Sequence, residues 1–156
     1  MSDGSARAIE AAEALGLAVT VTRHGPVRSL AEAAAARGVE ARQIVKTMVV
    51  RISDDDHRFV LVPGDREIAW PKLRAVLGVN RISMPSAETA YAVTGYERGT
   101  ITPLGSRARL PVVADASIAG PISIGGGAHG VALTVDAAEL VAALEATVAD
   151  VTDVAS

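Results

Sequence analysis

The chain has no cysteine. That excludes disulfide scaffolds, thiolate zinc sites and cysteine nucleophiles together, and leaves the redox compartment open. Aromatic residues make up only 3% of it, so the core must be built from Ala, Val, Leu and Ile. Base-stacking platforms of the RNA-binding type, which rely on Phe, Tyr and Trp, are not expected. No apolar run approaches the roughly 18 residues that a membrane helix needs. The N-terminal stretch carries Asp3, Glu10 and Glu13 without a long apolar core, so it does not read as a secretory signal. A soluble intracellular protein is the expectation. Beyond Arg109 there is no Lys or Arg, and six acids leave that end negative.

What is present is a 156-residue chain with 49% hydrophobic and 21% charged residues, enough to bury a sizeable single core. The net charge of −3 is uneven, because residues 37–109 hold twelve basic and eight acidic groups. A mildly basic middle can meet phosphate, and it can equally be a solvated surface.

The punctuation predicts a coarse map. Helices are expected over residues 5–15, from the Ser29–Glu32 capping box to Gly38, from Pro71 to Gly78, from Ser86 to about Gly95, and after Asp136. Strands are expected over residues 17–22, 44–52, 59–62, 80–84, 110–114, 121–124 and 130–135, the second and third joined by a turn at Ser53–His57. Residues 147–156 are expected to fray, leaving one domain with a core over about residues 5–146. Strands adjacent in sequence favour antiparallel pairing, so the fold class is mixed α/β: a twisted, largely antiparallel mixed sheet flanked by helices.

Three features could carry chemistry. Lys46 and Thr47 interrupt an apolar, β-branched run from Ile44 to Ile52 that otherwise reads as buried strand. A buried ammonium is costly unless it meets an anion. The alternative is a lysine on the solvent face of an edge strand. Gly99-Thr100-Ile101-Thr102-Pro103 lies in a long Gly/Pro segment that could aim backbone groups at a ligand or be an ordinary surface loop. Gly125-Gly126-Gly127-Ala128-His129-Gly130 matches a dinucleotide fingerprint literally but precedes a strand rather than a helix. It reads instead as a tight turn, with His129 either an acid–base group or solvated. His24, His57 and His129 have no metal-ligand spacing, and no metal or cofactor is expected. His57 reads as solvated; Asp65 and Asp115 read as turn or cap residues.

In this order the three features resemble the YbaK/prolyl-tRNA synthetase-associated editing domain family, over roughly residues 10–146. Val62-Pro63-Gly64-Asp65 and the helix ending at Gly78 also sit where the family has similar stretches. The resemblance implies hydrolysis of the ester in mischarged aminoacyl-tRNA. It implies that Lys46 is the central catalytic residue, that Thr47 and Gly99, Thr100, Ile101, Thr102 and Pro103 line the aminoacyl pocket, and that Gly126, Gly127 and Gly130 close it, with His129 a second catalytic candidate. Its partner would be the acceptor end of tRNA(Pro) or a related tRNA carrying Ala, Ser, Thr or Cys. Prolyl-tRNA synthetase or the elongation machinery would be nearby, in the cytoplasm, with no membrane or DNA involved. The branch similar to Cys-tRNA(Pro) deacylase has Ser at the head of the turn and Asp just after it, where this chain has Gly125 and Ala132. Nothing resembles a synthetase catalytic domain, so a free-standing, trans-acting hydrolase is the expectation. A non-catalytic tRNA- or nucleotide-binding module is the alternative.

Overall fold

The computed structural model describes residues 4–155; residues 1–3, Asp3 among them, and residue 156 lie outside the described residues. The first helix, α1 (Gly4–Ala14), turns Ala8 and Ala12 inward at 0% exposure, a spacing of four that builds one apolar stripe. Strand β1 (Thr20–Arg23) follows, then α2 (Leu30–Arg37). At the start of α2 the Ser29 hydroxyl accepts the Glu32 N–H at 3.0 Å. Glu32 reaches back to the Ser29 hydroxyl at 3.4 Å rather than to its backbone, a variation on the expected box. Gly38 ends the helix in the left-handed conformation.

A hairpin comes next: β2 (Val45–Ser53) and β3 (Asp56–Pro63). Its loop is shorter than the sequence suggests. His57 pairs with Arg51 and is buried at 8% exposure, not solvated, because strand pairing extends past it. After β4 (Arg66–Ile68) come α3 (Trp70–Leu77) and α4 (Ala87–Thr94), closed by Gly78 and Gly95. Between these helices, where a strand was expected, Ser83 makes only one bridge, to Arg51. The rest is β5 (Val112–Asp115), β6 (Pro121–Gly125), β7 (Val131–Asp136), α5 (Ala137–Leu144), β8 (Thr147–Ala149) and β9 (Thr152–Val154).

The described strands form sheets of order β1-β7-β6, β2-β3-β5-β8 and β4-β9. Pairing is antiparallel except for β3-β5 and β5-β8, so the architecture is the mixed, largely antiparallel one expected. A bridge from Ile44 to Ser123 ties the first two sheets together. The alternation of side chains along β2, β3 and β5 splits the core in two. Val45, Val49, Phe59, Leu61, Val112 and Ala114 face α1, α5, β6 and β7. Val50, Val60, Val62 and Val113 face the opposite way, onto Leu73 of α3 and Val151.

Val151 belongs to the segment expected to fray, and that expectation is corrected. Residues 147–154 add β8 to the second sheet and β9 to β4, and Val151 and Thr152 are both at 0% exposure. Burying a valine contributes about 1.5–3 kcal/mol, and with the pairing of β8 to β5 and of β9 to β4 it holds the segment down. Asp115 pins the segment by accepting the Val151 N–H at 3.0 Å and the Ser117 N–H at 3.1 Å. Burial alone would push the Asp115 carboxyl up. Donation from the Ser117 hydroxyl, from the Val151 and Ser117 N–H groups and from Thr152 overcomes this and holds its pKa below the usual aspartate value. No helix among the described residues is long and apolar enough to cross a membrane.

Candidate functional site

Strand β2 lies at the edge of its sheet, and its free side borders a cavity of about 560 Å³. The walls are residues 44–49 of β2 and its lead-in, Arg37 at the end of α2, residues 84–87 and Ala90 around the start of α4, Arg98, Gly99 and Ile101 of the long loop, and Gly125 at the end of β6. Among the described residues three cations, Arg37, Lys46 and Arg98, line it, and no Asp, Glu or His does. The N-terminal end of α4, which carries partial positive charge, lies at the same wall. The field inside is therefore positive, and the chemistry it favours is that of an anion or a developing oxyanion.

Arg37 is the most informative of the three. Its Nη1 donates to the Ser123 hydroxyl at 3.3 Å, while its Nε is buried without a hydrogen-bond partner. It forms no ion pair among the described residues. Burial pushes its pKa below the usual arginine value. A desolvated guanidinium with spare donors is costly to the fold unless a ligand completes it. Thr47 Oγ1, on the same wall, is also buried and unpartnered.

The opposite wall is a loop that is long but well held. Tyr96 is buried, and its hydroxyl donates to the Leu104 carbonyl at 2.7 Å. The Arg7 guanidinium stacks 4.4 Å over the Tyr96 ring, and its Nε donates to the Gly105 carbonyl at 2.8 Å. The loop is thus clamped from α1 and behaves as a wall, not as a mobile surface segment. Thr100 is turned inward; its N–H and hydroxyl both bond to the Glu97 carbonyl. Gly99 and Ile101 line the cavity and make no backbone hydrogen bond among the described residues. Gly125 fits because it has no side chain: a β-carbon there would lie 2.9 Å from the Ile101 carbonyl oxygen.

The structure brings together Lys46, Thr47, Gly99 and Ile101, as the sequence proposed. Lys46 is exposed rather than buried, because β2 is an edge strand; its ammonium stands at the cavity's rim, with no carboxylate or hydrogen-bond partner among the described residues. Thr100, Thr102 and Pro103 are buried behind the wall and shape it from within. Gly126, Gly127 and Gly130 do not line the cavity. The Gly127 N–H donates to the Thr100 carbonyl at 3.0 Å, so the turn acts by holding the loop. His129 does not line it either. Its side chain is 72% exposed and its Nε2 lies 3.1 Å from Glu97. Its Cε1 lies 3.8 Å from where a β-carbon on Gly99 would sit. Sequence reasoning missed Arg37, Arg98, Met84 and Ser86. An arginine in a helix's last turn carries a ready local explanation, favourable contact with the helix dipole, that hides its role. Among the described residues no cluster of three or more His, Asp or Glu could hold a metal ion.

Comparison with known proteins bears on this site directly. The profile of the aminoacyl-tRNA editing domain matches residues 24–143, which include every lining residue of the cavity. The proline–tRNA ligase of Geobacter sp. (strain M21) is 34% identical over 93 residues, 60% of this chain and 16% of that protein. That of Thermosipho melanesiensis is 36% identical over 96 residues, 61% of this chain and 17% of that protein. The match thus spans only about a sixth of the length of these curated relatives. A crystal structure described as a candidate trans-editing enzyme for prolyl tRNA synthetase superposes with a TM-score of 0.88 at 26% identity, covering 98% of this chain and 99% of that one. A positive cavity at the edge of β2, inside a segment matched from end to end, leads to one conclusion: the chain belongs to the aminoacyl-tRNA editing domain family.

Proposed function

We propose that this protein is a trans-acting deacylase that hydrolyses the ester joining a small, wrong amino acid to the 3′ end of a tRNA, with tRNA(Pro) or a related tRNA as the carrier. One observation carries the reading: among the described residues the cavity is lined by three cations and no carboxylate, its Arg37 Nε and Thr47 Oγ1 are buried without partners, and apart from Ser86 the rest of its lining is apolar or glycine. Such a site suits a ligand with an anionic backbone and a small apolar group.

In the reaction, a water oxygen attacks the aminoacyl carbonyl carbon and the carbonyl oxygen gains charge. The bond to the ribose oxygen then breaks, and that oxygen takes up the proton the water gives up. Arg37 and the free N–H groups of Gly99 and Ile101 supply donors for the developing oxyanion. Lys46, at the rim, holds the terminal phosphate by a charge-assisted contact. Thr47 Oγ1 is a further donor to the substrate. Thr100, Thr102, Pro103 and the turn at Gly126, Gly127 and Gly130 keep the loop in place, and His129 acts on it through Glu97 and Gly99. The ribose hydroxyl beside the ester assists the proton transfer, so no side-chain base is required. The apolar walls, Val45, Val49, Ala87, Ala90 and Ile101, fit a small side chain; a single methylene is worth only about 1–3 kcal/mol in discrimination. The setting would be the cytoplasm, where charged tRNA passes from prolyl-tRNA synthetase to the elongation machinery.

One observation favours a second reading, a tRNA- or nucleotide-binding module without turnover: among the described residues no side chain in the cavity is an ordinary general base. A panel separates the two. Purified protein is mixed with tRNA(Pro) charged with Ala, Ser, Thr, Cys or Pro, and amino-acid release is followed over time. Release of at least one small residue, faster than the spontaneous rate and with tRNA(Pro) bearing Pro spared, supports the deacylase. Saturable binding with no acceleration for any of them supports the module.

A further inference from the structure

On the far side of Lys46 lies a second cavity, of about 450 Å³, lined by Lys46, Met48, Val62, Arg66, Glu67, Ile68, Trp70 and Met84. Lys46, Met48 and Met84 border both cavities, so together they form the ridge between them. Met84 is 47% exposed although it is large and apolar, and Trp70 is the chain's single tryptophan. Trp70 opens α3, and the residue before it, Ala69, is fixed by donating its N–H to the Val151 carbonyl at 2.8 Å. The ring is therefore carried on a packed part of the molecule rather than on a loose loop.

The walls are apolar: an indole, two thioethers, Val62 and Ile68. The rim is polar and charged. Arg66 donates Nε and Nη2 to Thr152 and its Nε lies 3.9 Å from the Asp115 carboxylate, which leaves Nη1 without a hydrogen bond among the described residues, and the exposed Glu67 carboxylate has no ion-pair partner there. A flat group with an apolar face, hydrogen-bonding edges and a phosphate on the Lys46 side matches this arrangement. A single apolar peptide side chain satisfies the walls but brings no anion to Lys46.

We propose that the second cavity is a nucleobase subsite, which takes a base of the RNA acceptor end against Trp70, Met48 and Met84 while its phosphate sits on Lys46. This rests on the reading that the first cavity holds the acylated end of the same RNA. Lys46 then has two neighbours, an ester on one side and a base on the other, and its place on the ridge accounts for both. One tryptophan suffices for one base. The low aromatic content that rules out an extended stacking platform does not rule out a single stacked nucleotide.

Trp70 provides its own probe, since no other tryptophan contributes to the emission. The test titrates the intact protein with an uncharged RNA microhelix ending in CCA and follows tryptophan fluorescence. Two further microhelices are abasic, one at the terminal and one at the penultimate nucleotide. The expected result is a saturable change in emission with the intact RNA, and a loss of affinity of about tenfold or more with one abasic RNA, which names the base that stacks. Equal affinity for all three RNAs, or binding that leaves the emission unmoved, overturns the subsite. Because the lesion is in the RNA, no variant has to fold. Single-turnover deacylation measured alongside keeps the two readings apart. Retained deacylation with unmoved emission removes the subsite alone, whereas neither binding nor deacylation removes the proposed function as well.

Discussion

Replacing Arg37 with methionine should lower activity without lowering stability. The side chain pays a desolvation cost in the free protein. Among the described residues its Nε is buried without a partner, and its one side-chain hydrogen bond, to Ser123, is long at 3.3 Å. An unsatisfied buried donor costs about 1–3 kcal/mol, and a modest hydrogen bond contributes about 0.5–1.5 kcal/mol. Arg37→Met keeps most of the aliphatic stem and removes both, but it leaves the buried Ser123 hydroxyl without its donor at a cost of similar size, so the balance is close to neutral. For a domain of this size, 1 kcal/mol moves Tm by roughly 2–4 °C, so the melting point should hold to within a few degrees. In the complex the same change deletes a hydrogen bond from a charged donor, worth about 1.5–3 kcal/mol. That corresponds to a fall of roughly 10–150-fold in kcat/KM. The assay pairs a thermal melt with deacylation of a mischarged tRNA. A lower Tm together with unchanged kcat/KM would refute the reasoning, because it would make Arg37 a structural residue and not one held ready for a ligand.

Gly125→Ala places a β-carbon 2.9 Å from the Ile101 carbonyl and 3.3 Å from that of Thr100. It should displace the loop, with a loss of about 1–3 kcal/mol in a denaturant titration and a larger relative loss in deacylation. Asp115 has a folded-state pKa held below its unfolded value, so its contribution is present above the usual aspartate pKa of about 4 and is lost as pH falls through the folded value. Asp115→Asn should therefore destabilise the protein at neutral pH, flatten its stability profile below about pH 4, and speed amide exchange at Val151. Affinity for tRNA should fall steeply with added salt, with a log–log slope set by the few phosphates that Lys46, Arg98 and their neighbours neutralise. A flat salt dependence would argue against a phosphate at the ridge.

Much of the fold is legible because the signals are local. Ser29, Ser86 and Asp136 cap helices, and Gly38, Gly78 and Gly95 end them, since capping depends on residues within one turn. Lys46 stands out because a cation breaks an apolar run, and the loop at Gly99 because Gly and Pro restrict where a chain can go. What was hidden depends on distant partners. Residues 147–154 are short and polar at their ends; they are strands only because β5 and β4 offer free edges and Val151 finds a hydrophobic hole. His57 looks like a turn residue until the hairpin closes past it. The unpartnered state of the Arg37 Nε follows from where α2 meets β6, which no local pattern encodes. That His129 is exposed and paired with Glu97, away from the cavity, likewise follows from the path of the turn and not from its composition.

Lys46 is exposed, unpartnered and outside both buried cores, so Lys46→Ala should leave the fold intact. Single-turnover deacylation of the best mischarged tRNA, compared between the natural protein and Lys46→Ala, tests the account most directly. The account predicts a fall of roughly 10–150-fold in rate at subsaturating protein, the loss of one charged contact of about 1.5–3 kcal/mol, with an unchanged thermal melt. Equal rates for the two proteins would contradict it.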